Sequence, residues 1–296
     1  MYWYMGQLTE SETIALSISD PAVLYGATVF TTLRVWQRSL DHPLSFWSDH
    51  CDRLCHSVQQ LGWTEPDWAR LRQGAEQMAD HYPVLRLTLF ADGREWIMGR
   101  SLPANLEQWQ HNGISAWVAP PDWRRSLPEH KTGNYLACWL ALQAAKQCGC
   151  QEAILTDPQG HWLETSTGNL WGWYDHGWWT PALSENNGHT NSGQTNGSHA
   201  PTILPGIGRS HLMAILKWHN MEIRECVWSS DLVTQFEALV YCNSVRHVVA
   251  IAQVHDPNYE NGTVLQFQPR HPKVQAIATL FKTISYIRDT RNSNLG

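Results

Sequence analysis

Three short stretches of this sequence carry residues whose types and spacing suit chemistry. Glu129-His130-Lys131-Thr132-Gly133-Asn134-Tyr135 sets a lysine among small and polar residues, where an irregular segment gives way to a helical pattern. A lysine amine forms Schiff bases once desolvation or a nearby cation lowers its pKa; a solvated loop lysine is the plain alternative. Leu163-Glu164-Thr165-Ser166-Thr167-Gly168-Asn169 places Glu164 in an otherwise apolar β pattern. An inward carboxylate there needs a partner, and a protonated heterocyclic nitrogen is a suitable one; an outward-facing strand glutamate needs none. Leu204-Pro-Gly-Ile-Gly-Arg209 stands directly before an amphipathic helical pattern. Backbone N–H groups converging at such a helix start make an anion site, usually for phosphate. The spacing is neither that of a Walker loop nor that of a dinucleotide fingerprint.

The elements that must position these groups alternate between β and helical patterns. Ala27–Trp36 and Val84–Phe90 read as strands, rich in β-branched and aromatic residues. Ser48–Leu61 reads as a helix with Leu54, Cys55, Val58 and Leu61 on one face, and Asp67–Tyr82 as a second. Ile114–Ala119 is a further strand, and a Pro-rich polar stretch then suits an interdomain connector. The second half opens on a helix over Tyr135–Cys148. Strands are expected at Glu152–Thr156, His161–Thr165, Leu170–Tyr174 and Trp178–Thr180, then a helix at Gly208–His219, a strand at Ala238–Cys242 and a last helix at Val274–Ile287. Ser184–Ala200 is Asn-, Gly-, Ser- and Thr-rich without an apolar anchor, so a mobile loop is expected, one that hangs free rather than covering the site. The pattern gives an α/β or α+β chain, with an N-terminal domain over 1–119, a connector over 120–130 and a C-terminal domain over 131–296.

Composition narrows the function further. The chain has 296 residues, 43% hydrophobic and 16% charged, with a formal net charge of -6. These are globular values, and no clustered basic patch points to nucleic acid. The 17 Trp are spread along the chain, which argues for packing. There is no basic, apolar leader at the start and no run long enough for a membrane helix, so a cytoplasmic location is expected. The 7 Cys lack metal-ligand spacing, and reduced thiols and no metal site are expected.

Taken in chain order, these stretches and their neighbours resemble the fold-type IV pyridoxal-phosphate family. That family holds branched-chain and D-amino-acid aminotransferases and 4-amino-4-deoxychorismate lyase. The matching segments are Tyr25-Gly26-Ala-Thr-Val-Phe30-Thr31-Thr32-Leu-Arg34, His50-x-x-Arg53-Leu54, His130-Lys131-Thr-Gly-Asn-Tyr135, Glu164-x-Ser-Thr-x-Asn169, Leu204-Pro-Gly-Ile-Gly-Arg209 and Tyr241-Cys-Asn-Ser244, so the likeness covers nearly the whole chain. It implies the two-domain fold of the class IV aminotransferase type and pyridoxal 5'-phosphate as cofactor. It also implies a homodimer, with the active site between the domains and near the subunit interface. By resemblance, Lys131 is the Schiff-base lysine and acid/base, and Glu164 bonds the pyridine nitrogen, keeping the ring an electron sink. Arg53, the backbone N–H groups of Ile207 and Gly208, and the Ser244 hydroxyl hold the phosphate, while Tyr135 lies near the phenolic oxygen. The family often has Thr where this chain has Gly208.

Within that family, branched-chain aminotransferases usually carry Glu-Gly where this chain has Thr31-Thr32. The Thr-Thr pair and Tyr241-Cys-Asn-Ser244 look like the aminodeoxychorismate lyases. The expected reaction is therefore 4-amino-4-deoxychorismate to 4-aminobenzoate and pyruvate, toward folate. The alternatives are a branched-chain or D-amino-acid aminotransferase and a cofactor-binding protein without turnover; Lys131 and Glu164 weigh against the latter. Tyr25 and Thr32 are expected near the substrate by resemblance. Arg86, on the Val84–Phe90 strand, is a candidate carboxylate clamp because guanidinium binds carboxylate as a bidentate fork; a solvent-facing strand arginine is the equal alternative.

Overall fold

The computed structural model describes residues 1–184, 202–257 and 264–283. The polar stretch expected to be a loop lies, Ser184 apart, outside the described residues, as does the end of the helix expected to reach Ile287. The chain divides into two compact units. One comprises Met1–Ala104, His130–Tyr135 and Thr283–Gly296, the other Asn105–Glu129 and Leu136–Lys282.

The first unit runs β1 (Tyr2–Tyr4), β2 (Gln7–Thr9), α1 (Pro21–Tyr25), β3 (Thr28–Arg34), α2 (Trp47–Gln60), α3 (Trp68–Ala79), β4 (Val84–Phe90) and β5 (Glu95–Arg100). Its strands form an antiparallel sheet in the order β2-β1-β5-β4-β3. Period-2 alternation splits these strands into two faces. Val29 and Leu33, Leu85, Leu87 and Leu89, and Ile97 join Leu54 and Val58 of α2 and Leu71, Ala75 and Met78 of α3 in one core. Leu85 is fully buried, and Leu85→Ala would cost about 2–5 kcal/mol through lost transfer energy and the cavity left behind.

The segment His130–Tyr135 joins this unit at the free edge of β3. Phe30 donates its N–H to the Lys131 carbonyl at 2.8 Å, and Gly133 donates to the Thr28 carbonyl at 2.6 Å. The buried His130 shares a 3.1 Å hydrogen bond with Ser57 of α2. Gly133 is required there: a Cβ would overlap Thr28 Oγ1 and the Gly26 carbonyl oxygen.

The second unit runs α4 (Leu106–Asn112), β6 (Ile114–Val118), α5 (Leu136–Gln147), β7 (Glu152–Thr156), β8 (Trp162–Thr165), β9 (Asn169–Tyr174), β10 (Gly177–Pro181), α6 (Ile207–Trp218), β11 (Ile223–Cys226), α7 (Ser230–Val233), β12 (Ala238–Asn243), β13 (His247–His255), β14 (Val264–Gln266) and α8 (Pro272–Lys282). Its mixed sheet has the order β11-β10-β9-β12-β13-β6-β7-β8, with β14 on β13. β6 pairs in parallel with both β13 and β7, so the strand at Ile114–Val118 belongs to this sheet, not to the five-stranded one. The core gathers Ile154, Trp162, Leu170, Trp228, Phe236, Leu239, Tyr241 and Ile251. Trp162, Trp171, Trp178 and Trp228 are among the largest fully buried side chains, a packing role. Among the described residues no helix is long and apolar enough to cross a membrane.

Candidate active site

In the first unit, the backbone pairing of Lys131 with β3 brings its amine to the sheet face that carries Phe30. Lys131 Nζ lies 4.8 Å from the Phe30 ring centre and 5.0 Å from that of Tyr135. The two rings meet edge-on at 5.4 Å. The Arg86 guanidinium stacks on the same Phe30 ring at 3.6 Å, and Thr32 stands directly across from Arg86 in the β3–β4 register. Thus Lys131, Tyr135, Thr32 and Arg86, four of the expected site residues, gather about Phe30. Arg86 makes a 3.5 Å hydrogen bond to Thr88 and pairs with no carboxylate among the described residues. Burial, then Arg100 nearby, lowers its pKa to about 10. Desolvation disfavours the charged form, and an approaching anion would offset that penalty.

Arg53 stands on the other side of β3. Its Nη2 donates to Thr31 Oγ1 at 2.5 Å, and Thr31 also shares a 2.5 Å hydrogen bond with His50 Nδ1. Thr31 and His50 are both fully buried. The His50-x-x-Arg53 spacing made this link legible in part, since residues three apart share a helix face; Thr31 as their common partner was not foreseen. The adjacent threonines therefore divide the work: Thr31 holds Arg53, and Thr32 faces Arg86. Tyr25, at the end of α1, is 75% exposed.

In the second unit, Glu164 on β8 is 2% exposed, so the inward orientation holds. Its Oε1 accepts from Arg125 Nε at 2.7 Å and from the Leu204 N–H at 3.3 Å. Oε2 takes no hydrogen bond among the described residues, which leaves an acceptor for a protonated ring nitrogen. Arg125 was read from sequence only as part of a connector; nothing local to it signalled a partner 39 residues away.

The residues of this unit expected to hold an anion gather near the turn before α6. Asn169 Nδ2 donates to the Leu204 carbonyl at 2.9 Å, fixing the turn before α6. Asn243 Nδ2 donates to the Thr167 carbonyl at 3.2 Å, while its Oδ1 accepts from the N–H groups of Val245 and Arg246. Ser244, 8% exposed, follows Asn243, whose backbone lies against Gly208 in the first turn of α6. The N-cap is Gly206; no side chain caps it, and no acidic residue lies in the first turn. The first N–H groups, those of Ile207 and Gly208, are thus available to an anion at the positive end of the helix. A Cβ at Gly208 would sit 3.1 Å from the Asn243 carbonyl carbon and 3.2 Å from its Cα, so a larger residue there would press on the Asn243 backbone. Arg209 points away, paired with Glu225 at 2.6 Å. The fully buried Glu152 accepts from the hydroxyls of Ser166 and Thr167 and lies 3.5 Å from Arg246.

The family model described as amino-transferase class IV matches residues 28–254. A hypothetical aminotransferase from Mycobacterium tuberculosis in its PLP-bound form is 18% identical, covering 94% of this chain and 95% of its own, with a TM-score of 0.72. The 4-amino-4-deoxychorismate lyase of Pseudomonas aeruginosa is 18% identical over 96% of this chain and 98% of its own, with a TM-score of 0.73. The branched-chain amino acid aminotransferase of Escherichia coli is 21% identical over 94% and 91%, with a TM-score of 0.70. These likenesses share the fold.

Proposed function

This chain belongs to the class IV aminotransferase family and uses pyridoxal 5'-phosphate, and from that premise we propose that it is a lyase converting 4-amino-4-deoxychorismate to 4-aminobenzoate and pyruvate. When bound, the cofactor supplies an electron sink through its protonated ring. The chain's own residues do the rest. Lys131 would hold the cofactor, and its amine would take the proton from substrate C4 and give a proton to the enolpyruvate that leaves C3. Glu164, its carboxylate fixed by Arg125, would accept from the protonated ring nitrogen. Arg53, the Ile207 and Gly208 N–H groups and Ser244 hold the phosphate, and Tyr135 attends the phenolic oxygen. Arg86 takes a substrate carboxylate; Thr32 and Tyr25 line the substrate side.

The observation that carries the lyase reading is Thr32 opposite Arg86, on the face where Phe30 and Lys131 meet. Branched-chain aminotransferases of the family usually carry glycine at this position, and the Thr31-Thr32 pair resembles the lyases. We also propose a homodimer. The exposed apolar Val23, Leu24 and Tyr25 of α1 support that reading, since a second copy would cover them. The test supplies 4-amino-4-deoxychorismate and follows 4-aminobenzoate fluorescence, beside a transamination assay with 2-oxoglutarate. Wild type is expected to release aminobenzoate, and Lys131→Ala to lose both turnover and the visible band of the bound cofactor. Transamination without aminobenzoate would sink the lyase reading, and turnover surviving in Lys131→Ala would sink the role given to Lys131.

A further inference from the structure

Arg34, Arg86 and Arg100 lie on one face of the five-stranded sheet. In an antiparallel sheet directly paired residues share a face. Val84 is paired with Arg34 on one side and with Arg100 on the other, and Arg86 follows Val84 by two residues along β4. The same face carries Phe30 and Thr32; the opposite face is the apolar core.

These three arginines share the lack of a close carboxylate partner. Arg70, Arg72, Arg94, Arg125, Arg209 and Arg224 each sit within 2.8 Å of a carboxylate oxygen. Among the described residues, Arg34, Arg86 and Arg100 pair with none. Of the three, Arg34 stacks on the Trp36 ring at 4.1 Å and Arg86 on the Phe30 ring at 3.6 Å, while the exposed Arg100 makes neither kind of contact among the described residues. Arg86 and Arg100 are close enough that Arg100 depresses the pKa of Arg86, and desolvation depresses that of Arg100. A folded chain that holds two like charges together, without an anion, is suited to receive one from outside.

The spacing indicates how many carboxylates. Arg86 stands across from Met98, so Arg100 is its diagonal neighbour, about 7–8 Å away at the backbone. That separation, with mutual repulsion, suits two carboxylates several bonds apart better than one carboxylate shared by both forks. We propose that Arg86 and Arg100 form a two-point clamp that selects substrates carrying two carboxylates, with Arg34 adding positive potential on the same face. The clamp rests on the reading of this face as the substrate side, and it holds whether lyase or transaminase chemistry follows.

The test measures binding, not turnover. The cofactor-loaded protein is titrated calorimetrically with glutarate and with butyrate at matched ionic strength; neither carries an amine, so neither reacts. Wild type is expected to bind glutarate at least about tenfold more tightly, as one further charge-assisted contact allows. Arg100→Gln should bring glutarate to within about twofold of butyrate and leave butyrate unchanged, whereas Arg86→Gln should weaken both. Arg100→Lys, which keeps the charge, should retain part of the preference. A melting curve and the visible cofactor band confirm that each variant is folded and loaded. Equal binding of the two acids by wild type overturns the clamp, as does an Arg100→Gln effect equal on both. The lyase reading fails separately, on absence of 4-aminobenzoate.

Discussion

Arg125 donates from Nε to Glu164 Oε1 at 2.7 Å, and the two side chains are 7% and 3% exposed. An ion pair this buried is weak evidence of net stabilisation, yet removing one member strands the other charge in a poorly solvated site, at about 3–5 kcal/mol. Arg125→Gln and Glu164→Gln should each lower the denaturant midpoint accordingly. The double variant should lose less than the two together, with a coupling of about 0.5–3 kcal/mol. Arg125→Gln should also weaken cofactor affinity, read by equilibrium dialysis, because Glu164 loses the contact that orients it. Additive losses in the cycle would refute the coupling.

Thr31 and Thr32 are adjacent, but their side chains leave β3 on opposite faces, and their substitutions should separate accordingly. Thr31→Val removes the oxygen that Arg53 and His50 share. A hydrogen bond to a charged group contributes about 1.5–3 kcal/mol, so cofactor affinity should fall about tenfold or more. Thr32→Gly should leave cofactor affinity within about twofold, since Thr32 does not touch Arg53, and change kcat/KM for the substrate instead. If Thr31→Val changes only substrate kinetics, the division fails.

Asp20 caps α1 by accepting from the Ala22 N–H at 2.8 Å and pairs with Arg94 at 2.6 Å. The Arg94 hydrogen bond, then that of Ala22, holds the carboxyl below its usual 3.8. A depressed folded-state pKa gives stability that is present above 3.8 and lost as pH falls through the folded value. Asp20→Asn keeps the cap without the charge; Asp20→Ala loses both, the cap alone contributing about 1 kcal/mol. Thermal melts from about pH 7 to about pH 3 should show wild type converging on Asp20→Asn at the acid end. Parallel curves across that range would show that the charge contributes nothing.

Local pattern was enough for the elements that bear the site. β4 alternates Leu85, Leu87 and Leu89 with Arg86 and Thr88, and the amphipathic face of α2 sets Leu54 and Val58 in the core. Strand and helix periodicity report which side of an element must leave water, and that is a property of the sequence itself. β13 shows the limit. Its apolar run is buried almost throughout because it lies inside the large sheet, and a continuous apolar run carries no period that separates helix from strand. Its partners β12 and β14 are its neighbours in the chain, but β6, which pairs with it in parallel, comes from more than a hundred residues away.

By itself, the sequence set out the expected cofactor residues as an ordered set by resemblance, with Lys131, Glu164 and the glycine turn before α6 at family-like spacings. It also determined which faces of α2 and β4 are apolar. Tertiary structure alone decided that Arg125 secures Glu164, that Thr31 turns away to hold Arg53, and that Arg100 joins Arg86. Each of these is a pairing of charged or polar groups across strands, helices or loops. Such pairings depend on register and close approach in three dimensions, and neither residue in a pair carries a local sign of the other.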